Sequence, residues 1–211
     1  MRVLRRLLRR LRPPKVWMVY HRDYAHTITR IPLDPERGER ILAFLREEGL
    51  VRRHEITRPR PASLAAILRV HTPEHLESLD EVEVVSQAVG VPLTDVERQR
   101  VIDQQRLVTG GTIRAARLAL LTKRPAVNLG GGLHHATPEQ GMGFCVMNDV
   151  AIAIEHVRRY GFHGRVLVVD LDLHDGNGTR AAFADDPAVF TFSIHNHDWE
   201  PAGGAATLAI P

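Results

Sequence analysis

The chain has 211 residues, of which 44% are hydrophobic and 25% charged, the proportions of a folded globular domain and not of a disordered, collagenous or coiled-coil chain. No apolar run approaches the ~20 residues that span a bilayer, and a lone cysteine, Cys145, excludes a disulfide framework and any zinc site built on several thiolates. The net charge of +3 sits at the N-terminus: the first 15 residues hold six Arg and Lys15, leaving 21 basic against 25 acidic residues in the remainder, so a specific nucleic-acid footprint is not expected.

Residues 1–15 read as a basic extension and residues 16–211 as one domain. In residues 1–12, Leu4, Leu7, Leu8 and Leu11 follow helical spacing with arginines on the opposite face, and Pro13-Pro14 stop the pattern. Residues 2–12 therefore suit weak contact with an anionic membrane or an acidic partner. They lack the continuous apolar core of a secretory signal and the serines of a mitochondrial presequence. A cytoplasmic location is the expectation.

Strands and helices then alternate. Residues 17–21 read as a strand and 34–49 as a helix, with Pro35 near its start and Gly49 at its end. Residues 61–69 and 73–79 are short helical stretches. Residues 94–121 form a long helical segment interrupted at Gly110-Gly111. Residues 125–130 are a buried-type strand, 148–160 a helix, and 165–173 the strongest strand, apolar enough to be covered on both faces. Residues 189–195 and 207–211 are further strands. This alternation predicts an α/β domain with a parallel sheet.

The chemistry concentrates in two places. Asp170, Asp172 and His174 sit at the end of the strongest strand, where ligand sites form in parallel sheets. Positions i, i+2 and i+4 share a strand face, and carboxylate with imidazole suits a divalent cation. The bland alternative, a polar strand end, leaves charge beside VLVV unpaired, which is costly. An aspartyl phosphatase also begins DxDx(T/V), but here the fifth position is His174. The second place is Gly130-Gly131-Gly132-Leu133-His134-His135, where adjacent imidazoles provide a proton-transfer pair titrating near neutrality. Gly143 and Phe144 between the two motifs read equally as a channel wall or as packing below a glycine turn. Cys145 reads as a small buried hydrophobe.

The stretches NLGGGLHHATPEQGMGFCVMNDVAIA (128–153), VLVVDLDLHDGNGT (166–179) and VFTFSIHN (189–196) resemble the histone deacetylase family, which includes acetylpolyamine amidohydrolases and acetoin-utilisation proteins. The resemblance extends over roughly residues 16–211. It implies a three-layer arginase/deacetylase-like α/β fold with a parallel sheet, and hydrolysis of acetyl or other acyl groups on lysine side chains or small amines, with Zn2+ or Fe2+. By the same resemblance Asp172 and His174 are metal ligands, and His134 and His135 are the tandem histidines. Asp170 partners the first histidine and Asn177 the second. Gly143 and Phe144 match the acyl-lysine tunnel wall, and Arg37 the arginine of an acetate-release pocket. Asp170, Asp172, His174, Ser193 and Ile194 match a structural K+ site. The family's third metal ligand and its oxyanion tyrosine fall in later segments, so the domain is expected to be incomplete at its C-terminus. A non-catalytic binding remnant is the rival from another class.

Overall fold

The computed structural model describes residues 14–199 other than 26, 27, 29, 32 and 33, together with 203, 204 and 206–210. The basic helix expected over residues 1–12 lies outside the described residues. Among the described residues, six short strands form two all-parallel groups. β1 (Trp17–Val19) lies between β2 (Ile56–Thr57) and β3 (Ala126–Asn128). β5 (Val189–Ile194) lies between β4 (Val166–Asp170) and β6 (Thr207–Ile210). Parallel neighbours need crossover connections, and helices lie in those that link β1, β2 and β3 and in the one from β4 to β5.

α1 (Arg37–Glu47) links β1 to β2. Four helices link β2 to β3: α2 (Leu64–Ile67), α3 (Pro73–Ser78), α4 (Val82–Val89) and α5 (Asp95–Thr122). α6 (Asp149–Arg159) returns the chain to β4, and α7 (Asn177–Ala182) leads to β5. Thr94 starts α5 through a reciprocal pair with Glu97, in which Glu97 N–H donates to Thr94 Oγ1 and Thr94 N–H to the Glu97 carboxylate. Asn148 caps α6 by accepting from Ala151 N–H at 3.0 Å. The main core, around Ile67, Val85, Val89, Val146, Met147 and Ile152, is closed by α5 packing on α6. Among the described residues no helix is long and apolar enough to cross a membrane.

Two expectations are corrected. Gly110 and Gly111 do not interrupt the long helix; α5 runs through them. Their role is close approach: a Cβ on Gly110 would lie 1.8 Å from the Arg60 carbonyl oxygen, and one on Gly111 would lie 2.0 Å from the Tyr24 hydroxyl. The strongest strand also ends at Asp170, not at residue 173. Asp172 N–H donates to Asp170 Oδ1 (3.0 Å) and His174 N–H to Asp172 Oδ1 (2.9 Å). These side chains capture amides that a continuing ladder would need. α4 was not read from the sequence, although Val82, Val85 and Val89 fall on one helical face and Gly90 ends it at φ 73°.

Candidate active site

The loop after β3 carries the paired histidines, and a buried carboxylate holds it. Asp149, at the start of α6, accepts from Leu133 N–H at 2.7 Å, from Gly132 N–H and from the Thr112 hydroxyl. Its side chain is fully buried, which raises its pKa, while those donors pull it back down. Gly143 passes under the second histidine at φ 55°; a Cβ there would lie 2.3 Å from the His135 ring. The His134 and His135 rings lie 4.1 Å apart between centroids.

Each histidine has one nitrogen committed. His134 Nδ1–H donates to Asp170 Oδ2 at 2.6 Å. His135 Nδ1–H donates to Asn177 Oδ1 at 2.8 Å, and Asn177 Nδ2 donates to Met142 Sδ, which fixes the amide with its oxygen toward the imidazole. Burial works to lower the His134 pKa, but the hydrogen bond and charge of Asp170, with Asp172 and Asp149 nearby, raise it. Burial lowers the His135 pKa, and the neighbouring His134 and His174 lower it further against the Asn177 hydrogen bond. At neutral pH His134 tends toward imidazolium and His135 toward free imidazole with Nε2 as the open nitrogen.

The predicted metal pair lies beside them. His134 Nε2 is 3.8 Å from Asp172 Oδ1, and His174 Nδ1 is 3.0 Å from the same oxygen. The His135 and His174 ring centroids are 5.8 Å apart. The Asp172 carboxyl is partly buried, but the His174 N–H and the adjacent imidazoles hold its pKa below the ordinary range. Asp170 and Ser193 are register partners of β4 and β5, and Ile194 follows. Of the residues matched to a potassium site, Asp170, Ser193 and Ile194 therefore sit together at the C-terminal ends of adjacent strands, and the Ser193 hydroxyl donates to His195 Nδ1 at 2.7 Å.

One further group of possible ligands occurs among the described residues: Asp175, His195 and Asp198 place their ligating atoms within 4.8 Å of one another. Its groups are already matched. Arg180 spans both Asp175 oxygens at 2.6 and 2.7 Å with both side chains buried, and His195 Nε2–H donates to Asp198 at 2.8 Å. A guanidinium on the carboxylate opposes a cation there. Among the described residues no guanidinium meets Asp172; its Oδ1 faces only the His174 N–H and the His134 and His174 rings, and Asp172 with His174 offers a carboxylate and an imidazole suited to zinc or iron.

Not every site residue arrives together. Arg37 is exposed in the first turn of α1, and no hydrogen bond or ion pair among the described residues ties it to the histidines. Phe144 packs against the main core with a left-handed backbone (φ 68°). Trp199, which sequence reasoning missed, stacks on His135 at 4.0 Å with 6° between the rings. The Trp199 backbone N–H donates to Asp175 Oδ2 at 3.3 Å. Nothing local in the sequence marks it, because its partner lies 64 positions away. Burial pushes the Cys145 thiol up to about 12, so it is no nucleophile.

A family model described as the histone deacetylase domain matches residues 31–207. The chain belongs to the histone deacetylase family. An uncharacterised protein of Picosynechococcus sp. is 37% identical over 84% of this chain and 59% of its own length. Histone deacetylase 2 of Arabidopsis thaliana is 34% identical over 89% of this chain and 50% of its own length. The crystal structure of a deacetylase homologue from Aquifex aeolicus superimposes with a TM-score of 0.74 and 27% identity, covering 94% of this chain and 59% of that one. The fold is thus the deacetylase-like α/β fold, and the chain spans half to three-fifths of the length of these relatives.

Proposed function

We propose that this chain contributes the metal-ligating and proton-transferring residues of an amidohydrolase that removes acetyl or other acyl groups from lysine side chains or related amines. The observation that carries this reading is the pair of unequal histidines, His134 on a carboxylate and His135 on an amide, set beside Asp172 and His174. A zinc or iron ion held by Asp172 and His174 would polarise the amide carbonyl and make water more acidic. His135 Nε2 takes the proton of the attacking water and returns it to the leaving amine. His134, kept cationic by Asp170, stabilises negative charge developing beside it. Asn177 holds the His135 tautomer without adding a charge. Gly143 leaves the His135 ring room to sit close to the loop.

The test is acetate release from an acetyl-lysine peptide and from an acetylated polyamine by the zinc-supplemented chain in a completed domain that carries the family's later segments. General acid–base catalysis contributes about 10²–10⁴-fold, so His135→Ala is expected to reduce turnover by that factor. Binding of the acetylated peptide with no turnover above that variant would remove the reaction and leave a binding module. Phosphate release requiring magnesium, and indifferent to His135→Ala, would favour the aspartyl phosphatase.

A further inference from the structure

In the C-terminal half of α5, arginine and leucine share one helix face. Ile113, Arg114, Arg117, Leu118 and Leu121 recur at three- and four-residue spacing, whereas an amphipathic helix ordinarily sets apolar and charged residues on opposite faces. These residues line a cleft of about 550 Å³, to which the segment after β2 adds Arg58 and Arg60 and α6 adds His156. That volume is within the range of small-molecule sites. Four guanidinium groups and no carboxylate line the cleft. Among the described residues none of the four is in an ion pair. Arg114 Nε–H donates to the Thr57 hydroxyl at 2.6 Å, a neutral acceptor that fixes the group without cancelling its charge. Like charges gathered in this way oppose the compact state, a cost that a bound anion would offset.

The cleft is also built in advance. Ala62 N–H donates to the Arg106 carbonyl at 2.8 Å, and Arg106 Nη2 donates back to the Ala62 carbonyl at 3.2 Å. Pro59 and Pro61 restrict the backbone on either side of Arg60, and Gly110 lets that segment lie against α5. Little ordering is left for a ligand to impose. His156 adds an independent observation: its Nε2 is buried and has no hydrogen-bond partner among the described residues, a costly state for a polar atom. Burial lowers the His156 pKa, and the charges of Arg117 and Arg69 lower it further, so a neutral ring sits in an electropositive field. Much of the remaining lining is apolar: Ala62, Ala66 and Ile113 are buried, and Leu121 is 76% exposed.

The structure assigns this cleft to a phosphate monoester carried on a short apolar body. One guanidinium fork satisfies the two oxygens of a carboxylate, whereas a phosphate has three free oxygens and takes forks from more than one arginine. The apolar body lies against the leucine and alanine side chains that share the cleft. None of these residues belongs to the site around His134 and His135, so the assignment stands apart from the deacetylase reading.

Calorimetric titration of the full chain with octyl phosphate, octanoate and inorganic phosphate tests it. Octyl phosphate is expected to bind at least about tenfold tighter than inorganic phosphate, since burial of two methylenes gives that factor, and tighter than octanoate. Arg60→Gln and Arg117→Gln should each weaken it by about tenfold or more. Leu121→Ser should weaken octyl phosphate by about fivefold and leave inorganic phosphate unchanged. Arg22→Gln, on an arginine outside the cleft, should change neither. The unfolding midpoints of Arg60→Gln and Arg117→Gln should equal or exceed that of the unaltered chain; a drop in both would show that these arginines hold the fold, and would overturn the assignment. Equal affinity for octyl and inorganic phosphate overturns it too, as does binding indifferent to both arginine variants, which would place the anion on the basic extension. Sedimentation with phosphatidic acid vesicles separates two sources of the same chemistry. No change in Arg117→Gln is expected and assigns the ligand to the soluble pool; a loss assigns it to a bilayer headgroup, and the cleft is upheld in either case.

Discussion

At His134 the partner of Nδ1 is a carboxylate 2.6 Å away, and at His135 it is an amide oxygen 2.8 Å away. Substitution should separate the two: His135→Ala is expected to lose about 10²–10⁴ in kcat, and His134→Ala markedly less. Equal losses in acetate release would contradict that division. A second histidine pair, outside the site, governs stability. His71 and His75 are buried with ring centroids 4.9 Å apart, and neither Nδ1 has a hydrogen-bond partner among the described residues. His71 Nε2 accepts from Asn148 N–H at 2.9 Å, a bond that the neutral ring makes. Burial and the neighbouring His75 lower the His71 pKa from 6.5 to about 4, and burial lowers that of His75. A depressed folded-state pKa gives stability that is complete above the unfolded value and lost as pH falls. Stability should therefore decline between pH 6.5 and about 4, by an amount on the order of 3 kcal/mol for His71. Urea unfolding across that window tests this; His71→Gln, which keeps an acceptor for Asn148, should flatten the slope. An unchanged slope would show that His71 is not responsible.

Among the elements, α5 makes the sharpest prediction. In an exposed helix interior, Gly→Ala gains about 1 kcal/mol. Gly111→Ala should instead destabilise by about 1–3 kcal/mol, because the new methyl group would meet the Tyr24 hydroxyl, which donates to Asn128 Oδ1 at 2.8 Å. A raised unfolding midpoint would contradict the packing described for α5. The glycine pair also shows where sequence reasoning ran short. Glycine lowers helix propensity, so it read as a break; its use for close packing depends on Arg60 and Tyr24, which are distant in sequence. The strands 126–128, 166–170 and 189–194 and the capped helix at 149–159 were legible because their signals are local: apolar runs, β-branched residues and an Asn cap. His134, His135, Asp170, Asp172, His174 and Asn177 were legible as motifs. Asp149 under the histidine loop, the Asp175–Arg180 pair and Trp199 over His135 were not, since each is defined by a partner from another element.

For the whole molecule, charge and shape separate the parts. The six arginines before Pro13 outweigh a domain that is otherwise slightly acidic, and each basic residue near an anionic bilayer contributes about 1 kcal/mol. Removing residues 1–14 is expected to abolish sedimentation with anionic vesicles and to leave the unfolding midpoint unchanged; a large drop in the midpoint would tie those residues to the fold. The site itself is built where β4 and β5 end, with the β3 loop brought in by Asp149. Asp172 and His174, and not the neighbouring Asp175, His195 and Asp198, are expected to hold the metal. Zinc titration of the purified chain by calorimetry tests this most directly. Asp172→Ala and His174→Ala should each abolish the binding seen in the unaltered chain, and Asp198→Asn should retain it. Binding lost in Asp198→Asn but kept in Asp172→Ala and His174→Ala would contradict it.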